Sequence, residues 1–320
     1  MKILLQHSNK LPVLKYGGIE RMIYWHMKEL VKLGHQVTLI GHPDSEVSSI
    51  GVNLIKCNNP DQWQDYIPNS IDIIHLFYSV KNVKDYPLII SMGCNGQIGE
   101  KFHKNSVFVS KKHAENHNSN CYIYNGIDFD EYPFSPKNKS WENFCFLAKG
   151  NWSVKNLKDT VRSCKQAHKN LNIMGGRTYI PNRFIKNYGQ VNSEQKIKIL
   201  NKSDALIFPV RWHEPFGLAV IEAMSQGLPA ITSSYGSLPE LVTKDTGIIC
   251  NNYEQLLMSL IKEHNFNPEL IRDYAFNNFS IQNFSNKFIN NYQKVVDGIT
   301  LNKQNPTWSL SKSPESLLPF

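Results

Sequence analysis

Residues 204–240 read D-A-L-I-F-P-V-R-W-H-E-P-F-G-L-A-V-I-E-A-M-S-Q-G-L-P-A-I-T-S-S-Y-G-S-L-P-E. Ala205–Phe208 is a short apolar run that stops near Pro209, the pattern of a buried strand. Glu214-Pro215-Phe216 forms a loop, and a helix is expected over Gly217–Gln226. Pro229–Thr232 is the next apolar run. Strand, helix and strand within one short stretch is the unit from which parallel sheets with helices on both faces are built.

The same alternation extends outward in both directions. Toward the N-terminus, Ile3–Leu5 reads as a first strand. After Gly17-Gly18, apolar residues at Ile19, Met22, Ile23, Met27, Leu30 and Val31 recur at helical spacing, and Gly34 stops that helix. Gln36–Ile40, Asp72–Phe77, Pro87–Ser91, Ser106–Val109 and Cys121–Tyr124 read as further strands. Tyr132–Asn143, with Pro133 and Pro136, reads as a linker. The pattern then restarts with a strand at Phe144–Ala148, a helix at Asn156–His168 and a strand at Leu171–Met174. Strands at Ala205–Phe208, Pro229–Thr232 and Gly247–Cys250 alternate with helices at Gly217–Gln226 and Tyr253–Glu263. An α/β chain of two Rossmann-like halves is expected, over 1–135 and 140–280, with a ligand cleft between them. A last helix over 281–300, apolar at Phe284, Phe288, Ile289, Tyr292 and Val295, reads as core packing that crosses back to the first half. The tail, 301–320, is rich in Ser, Pro and Lys and reads as loosely ordered.

Bulk composition narrows the function. The chain has 320 residues, 41% hydrophobic and 19% charged, which is ordinary globular composition. Six scattered cysteines without a C-x-x-C pair fit reduced thiols, which points to the cytoplasm rather than to a disulfide framework or a zinc site. The N-terminus lacks the pattern of a signal peptide, and no apolar run approaches the roughly 18 residues that span a bilayer. The net charge of +8 is spread thinly, with no dense Lys/Arg run, which argues against a nucleic-acid partner. It suits anionic ligands, or contact with an anionic membrane face.

Two places carry chemistry. Gly17 and Gly18 stand between a strand and a long helix, where backbone N–H groups at a helix start suit a pyrophosphate. The spacing is not G-x-G-x-x-G, so the dinucleotide fingerprint is absent and a nicotinamide enzyme is disfavoured. In the opening segment, Phe216, Gly217 and Leu218 would present N–H groups at the next helix start, and Glu222 falls in its second turn. Glu214 and Glu222 are eight positions apart, up to roughly 12 Å along a helix. That exceeds the roughly 5 Å of a double-displacement carboxylate pair. It suits two ends of one elongated ligand. His113 and His117, four apart as H-A-E-N-H, read as part of a surface helix. Trp152, Trp212 and Tyr16 read as packing residues or as platforms for a sugar or base.

The segment resembles the E-P-F-G-x-x-x-x-E-A-M-A-x-G-x-P-V motif of the large retaining glycosyltransferase family often called family 4, also described as glycosyl transferases group 1. The resemblance runs over most of the chain. Tyr16-Gly17-Gly18-Ile19-Glu20-Arg21 is similar to that family's acceptor-side glycine loop. Leu33–Leu39 is similar to L-G-H-x-V-x-L, Asp72-Ile73-Ile74-His75 to D-x-I-H, and Asn125-Gly126-Ile127-Asp128 to N-G-I-D. Gly236-Ser237-Leu238-Pro239-Glu240 is similar to its G-G-x-x-E turn, with Ser237 at the second glycine.

The resemblance implies a GT-B fold, two facing Rossmann-like domains. It also implies a metal-independent hexosyltransferase that uses a UDP- or GDP-linked sugar and needs no further cofactor. Glu214 would bind the donor sugar and Glu222 the ribose. The Phe216–Leu218 amides would hold sugar and phosphates, and Lys155 would hold the diphosphate. Glu214 and Lys155 are thus the expected catalytic pair. The acceptor would be a glycan or lipid-linked glycan in bacterial surface polysaccharide synthesis (lipopolysaccharide, O-antigen or capsule), at the inner face of the cell membrane. Two positions depart from the family. Asn151 stands where arginine is usual, with Lys149 or Arg211 as candidate substitutes. Gly93 stands where a histidine is usual. Both departures motivate an alternative, a non-catalytic GT-B protein that binds a nucleotide or glycan and supports a partner enzyme.

Overall fold

The computed structural model describes residues 1–320 apart from 14–16, 81–82, 84–85, 136–139 and 179–181. Tyr16 and Pro136, named above, lie outside the described residues. The chain divides into two compact units. The first comprises residues 1–13, 17–128 and 280–313, and the second 129–279 and 314–320.

The first unit holds a six-stranded sheet built from β1 (Lys2–His7), β2 (Gln36–Gly41), β3 (Asn53–Lys56), β4 (Ile73–Leu76), β5 (Leu88–Met92) and β6 (Ser106–Phe108), in the order β3-β2-β1-β4-β5-β6. Every pairing is parallel. The second unit repeats the plan with β7 (Asn143–Leu147), β8 (Asn170–Met174), β9 (Ile185–Gly189), β10 (Ala205–Phe208), β11 (Ala230–Ser233) and β12 (Gly247–Cys250), in the order β9-β8-β7-β10-β11-β12. Its pairings are parallel too. Both orders are the 3-2-1-4-5-6 of a Rossmann-like domain. Strand order reverses once in each, between β1 and β4 and between β7 and β10. At such a point the loops leaving the carboxyl ends of the strands diverge and leave room for a ligand.

Central strands are apolar on both faces, as parallel sheets require. Ile73–Leu76, Leu88–Met92 and Ala205–Phe208 are buried throughout. The edge strands β3 (N-L-I-K) and β9 (I-K-N-Y-G) are half-buried and polar, so they carry no apolar run. Neither is readable from periodicity. Cys121–Tyr124, expected as a strand, is not one. Phe108 N donates to Cys121 O and Ile123 N to Phe108 O, but only one bridge, Phe108 to Tyr122, forms beside the three-residue β6.

Three other expectations need correction. Tyr132 and Trp141 are 1% and 3% exposed, so both ends of the expected linker sit inside the second unit, and the chain passes between units at residues 128 and 129 instead. The tail is not loose. Asn302 and Trp308 are buried, Phe102 N donates to Pro306 O, and Thr307 N donates to His117 O. His113 and His117 are buried, at 1% and 0% exposure, rather than on a surface. His113 Nε2 bonds Cys94 O (3.1 Å) and His117 Nε2 accepts from Gly96 N (2.9 Å), which ties the loop after β5 to α2 (Lys111–Glu115) and the turn that follows.

Helix α1 (Gly18–Lys32) and the last helix, Ile281–Val296, pack together in the first unit around a buried polar knot. His26 Nδ1 bonds Ser285 Oγ (2.8 Å) and Nε2 bonds Tyr292 Oη (2.7 Å). His75 Nδ1 reaches the same Tyr292 Oη at 2.6 Å. The single hydroxyl proton goes to one imidazole, and the other imidazole donates to the hydroxyl oxygen. His75 stacks between Phe77 and Phe288, with centroids 4.3 and 4.5 Å away. Burial pushes His26 down to about 3 and His75 well below its usual range, and each imidazole adds to a neighbouring one's penalty (His35 for His26, His26 for His75). Desolvation likewise lowers His113 and takes His117 to about 4.

The unfolded chain protonates these imidazoles near pH 6.5, whereas the folded unit does so only far lower. Their contribution is intact above about 6.5 and is lost as the pH falls toward the folded values. Each such group costs about 1.4 kcal/mol per pH unit in that window. The melting transition of the first unit is therefore expected to fall sharply between pH 7 and pH 5 in scanning calorimetry. A midpoint unchanged over that range would contradict neutral burial of these histidines.

Candidate functional site

The carboxyl ends of β7 and β10 carry a buried polar cluster. After β7 the chain runs through a 3-10 turn, Ser153–Lys155, to Asn156, a left-handed residue (φ 57°) that starts α3 (Leu157–Gln166). Asparagine tolerates that conformation better than most residues. Its side chain donates to Pro209 O (3.1 Å), and Arg211 N donates to Val154 O (2.7 Å). These two bonds stitch the loop after β7 to the loop after β10.

The stitching brings Lys155 onto Glu214. The two side chains form an ion pair at 2.6 Å, Nζ to Oε2, although the residues are only 9% and 7% exposed. Trp212 Nε1 donates to the same Oε2 at 2.7 Å. Lys155 Nζ lies 4.6 Å from the Trp212 ring centroid, 5.3 Å from Phe208 and 5.4 Å from Trp152, which is cation–π range. An ammonium has three N–H donors and a carboxylate two acceptor oxygens. Among the described residues only one donor and Oε2 are engaged, so two N–H groups and Oε1 keep their capacity. Burying two ions costs several kcal/mol each, and well-packed apolar side chains would serve stability as well. A buried pair with unspent hydrogen-bonding capacity at a switch point makes this a candidate binding site.

Glu222 sits on the seven-residue helix α5 (Leu218–Met224). Its Oε1 accepts from Tyr132 Oη (2.7 Å) and pairs with Lys196 Nζ, which also donates to Tyr132 Oη (3.1 Å). Tyr132 and Lys196 escaped the sequence reading. A signal was present for Lys196. On α4 (Ser193–Asn201) it lies three and four residues before the buried Ile199 and Leu200, so a cation falls on the apolar face.

A tight turn after β11 sets the height of the Glu214 loop. Gly236 has φ 64°, and a Cβ there would collide with the backbone N and O of Glu214. Ser237 N donates to Glu214 O (3.0 Å) and its hydroxyl to Phe216 O (2.6 Å). Serine at the second position of that turn thus adds a hydrogen bond. Phe216 is buried against Phe279, Gly217 is left-handed (φ 98°), and Leu218 begins α5. Gly17 and Gly18 belong to the first unit, after β1. Gly17 (φ 143°) precedes α1, and a Cβ on it would meet Glu20 Oε2 at 2.8 Å. Asn151 and Lys149 are exposed. Arg211 Nε donates to Leu318 O (2.7 Å), and Arg211 O accepts from Leu318 N (2.8 Å). Gly93 packs on Ile19, whose Cδ1 would lie 3.3 Å from an added Cβ.

Gly236→Ala is expected to destabilise the second unit by at least about 2 kcal/mol, since it adds a collision to an unfavourable left-handed alanine. Urea denaturation reads this directly, and an unchanged midpoint would mean that the turn does not support the Glu214 loop.

Residues 180–274 match the family Glycosyl transferases group 1, a stretch that contains Lys196, Glu214 and Glu222 but not Lys155. An uncharacterized 41.2 kDa protein in the cps region of Klebsiella pneumoniae is 28% identical over 113 residues, 33% of this chain and 31% of that protein. The chain thus spans under a third of the curated relatives that it matches. Among solved structures, a glycosyltransferase involved in avilamycin A biosynthesis superposes with a TM-score of 0.77 at 16% identity, covering 94% of this chain and 99% of that one. The apo lipopolysaccharide outer core galactosyltransferase WaaB gives 0.64 at 14% identity, over 93% and 99%. These likenesses concern the fold. The two Rossmann-like sheets fit the GT-B fold of these structures, and residues 180–274 of the second unit match the family Glycosyl transferases group 1.

Proposed function

We propose that this protein is a retaining glycosyltransferase of family 4, which moves a hexose from a UDP- or GDP-sugar to a glycan or lipid-linked acceptor. The observation that carries the reading is the buried Lys155–Glu214 pair with its unspent donors and acceptor, placed where β7 and β10 diverge. A sugar nucleotide needs a cation for its diphosphate, a carboxylate for its sugar hydroxyls and another for the ribose diol. Lys155, Glu214 and Glu222 supply these in that order. Lys196 and Tyr132 hold Glu222 in place.

In the transfer, the bond from the sugar C1 to the phosphate oxygen breaks and a bond from C1 to the acceptor oxygen forms on the same face. The acceptor proton passes to the departing phosphate, so no side-chain base is needed where Gly93 replaces histidine. The Lys155 ammonium offsets charge on the departing nucleoside diphosphate. That role makes a metal ion unnecessary, and a chelator should leave the rate unchanged. A setting in surface polysaccharide assembly is supported by likeness to a lipopolysaccharide galactosyltransferase and to a protein of a cps region. The net charge of +8 suits work at the anionic inner face of the cell membrane.

Saturation-transfer NMR against a panel of UDP- and GDP-sugars tests the reading. At least one should bind, with saturation on both ribose and sugar protons, and Glu222→Gln should weaken it about tenfold, the size of one hydrogen bond to a charged group. No binding to any member of the panel would sink the proposal. Exposed Asn151, where arginine is usual, favours the alternative of a binding protein without turnover. Donor hydrolysis above background by the purified protein excludes that alternative.

A further inference from the structure

Glu214 has two carboxylate oxygens, and the structure treats them differently. Oε2 receives both Lys155 Nζ and the Trp212 indole N–H, while Oε1 has no hydrogen-bond partner among the described residues. Trp212 also lies against Lys155, with its ring centroid 4.6 Å from Nζ, and packs edge-on against Trp152 with centroids 4.7 Å apart. One side chain, two residues from Glu214, therefore holds both partners of the ion pair by different means. It holds the carboxylate by a hydrogen bond and the ammonium by its ring face.

This matters when a diphosphate competes for Lys155. Phosphate oxygens draw the ammonium away from Oε2, and a carboxylate held by that ammonium alone would then turn freely about its side-chain torsions. The indole N–H prevents this, because it does not depend on Lys155. The ring face meanwhile attracts the cation without consuming any of its N–H donors.

Building on the donor-site reading above, we propose that Trp212 is a positioning residue that keeps Oε2 assigned to the protein and Oε1 to the sugar. It thereby sets affinity for the sugar half of the donor independently of the nucleotide half. Trp212 does not touch the reacting atoms. Its effect passes through Glu214.

The test compares two ligands on the whole chain by isothermal titration: the nucleotide sugar that binds best, and the matching nucleoside diphosphate. Trp212→Phe keeps an aromatic face and removes the N–H. It should weaken the nucleotide sugar about tenfold, the size of one hydrogen bond to a charged group, and change the nucleoside diphosphate by less than about twofold. A packing defect would weaken both. Replacing Trp212 with benzothienylalanine, which preserves the bicyclic shape without the donor, should reproduce the selective loss even if the smaller phenyl ring unfolds the loop. In a Glu214→Ala background the same replacement should have no further effect on either ligand, since neighbours that act through one group are not additive. Equal losses for both ligands, or an undiminished sugar preference, would overturn the positioning role while leaving the glycosyltransferase reading intact. Failure of the unsubstituted protein to bind any nucleotide sugar would overturn that reading, and this inference with it.

Discussion

Lys155 and Glu214 are 59 residues apart in sequence, yet their side chains meet at 2.6 Å. The contact exists because β7 and β10 are neighbours in one parallel sheet, so that both strands end at the same edge. Parallel pairing demands apolar strands buried on both faces, and that apolar core fixes the heights at which the two loops begin. Once the loops start side by side, the Asn156 and Arg211 hydrogen bonds draw them together. The ion pair is thus a product of sheet topology, and the sheet's hydrophobic burial offsets the desolvation of its two charges. The same logic explains why Gly236 cannot carry a side chain. The loop after β11, next in the sheet, lies directly against the Glu214 backbone.

Burial and incompleteness together give the site its character. A salt bridge that served only stability would be saturated with hydrogen bonds, or would be replaced by apolar packing at no loss. Here the pair is enclosed by Trp152, Phe208 and Trp212, which attract a cation without competing for its hydrogens. Glu222 is held differently, by Lys196 and by the Tyr132 hydroxyl. Two carboxylates eight residues apart thus sit in two separate polar nests. That separation fits one elongated ligand better than a shared water molecule.

How much of this was legible in the sequence follows from how each feature is encoded. A strand such as Ala205–Phe208 appears at its observed bounds because central parallel strands are continuous apolar runs. The edge strands Asn53–Lys56 and Ile185–Gly189 are half wet, so their residues look like loop. Glu214, Glu222 and Lys155 stood out through local motifs. Their partners did not, because Tyr132 and Lys196 reach Glu222 from 90 and 26 residues away. The tail misled for the opposite reason. Its polar composition suggests looseness, but backbone bonds to residues such as His117 and Arg211, and burial of Trp308, hold it regardless of side-chain polarity. His113 and His117 looked like surface residues because histidine is common on both sides of the surface. Their burial comes from partners distant in sequence, the loop Cys94–Gly96 and the rings of Phe102 and Trp308 among them.

The central claim is that a sugar nucleotide is gripped where the loops after β7 and β10 meet. Amide hydrogen exchange read by mass spectrometry, with and without a bound nucleotide sugar, tests that location most directly. The account predicts that protection rises in peptides covering 150–156 and 213–224. Binding that left both peptides unprotected while slowing exchange elsewhere in the second unit would contradict it.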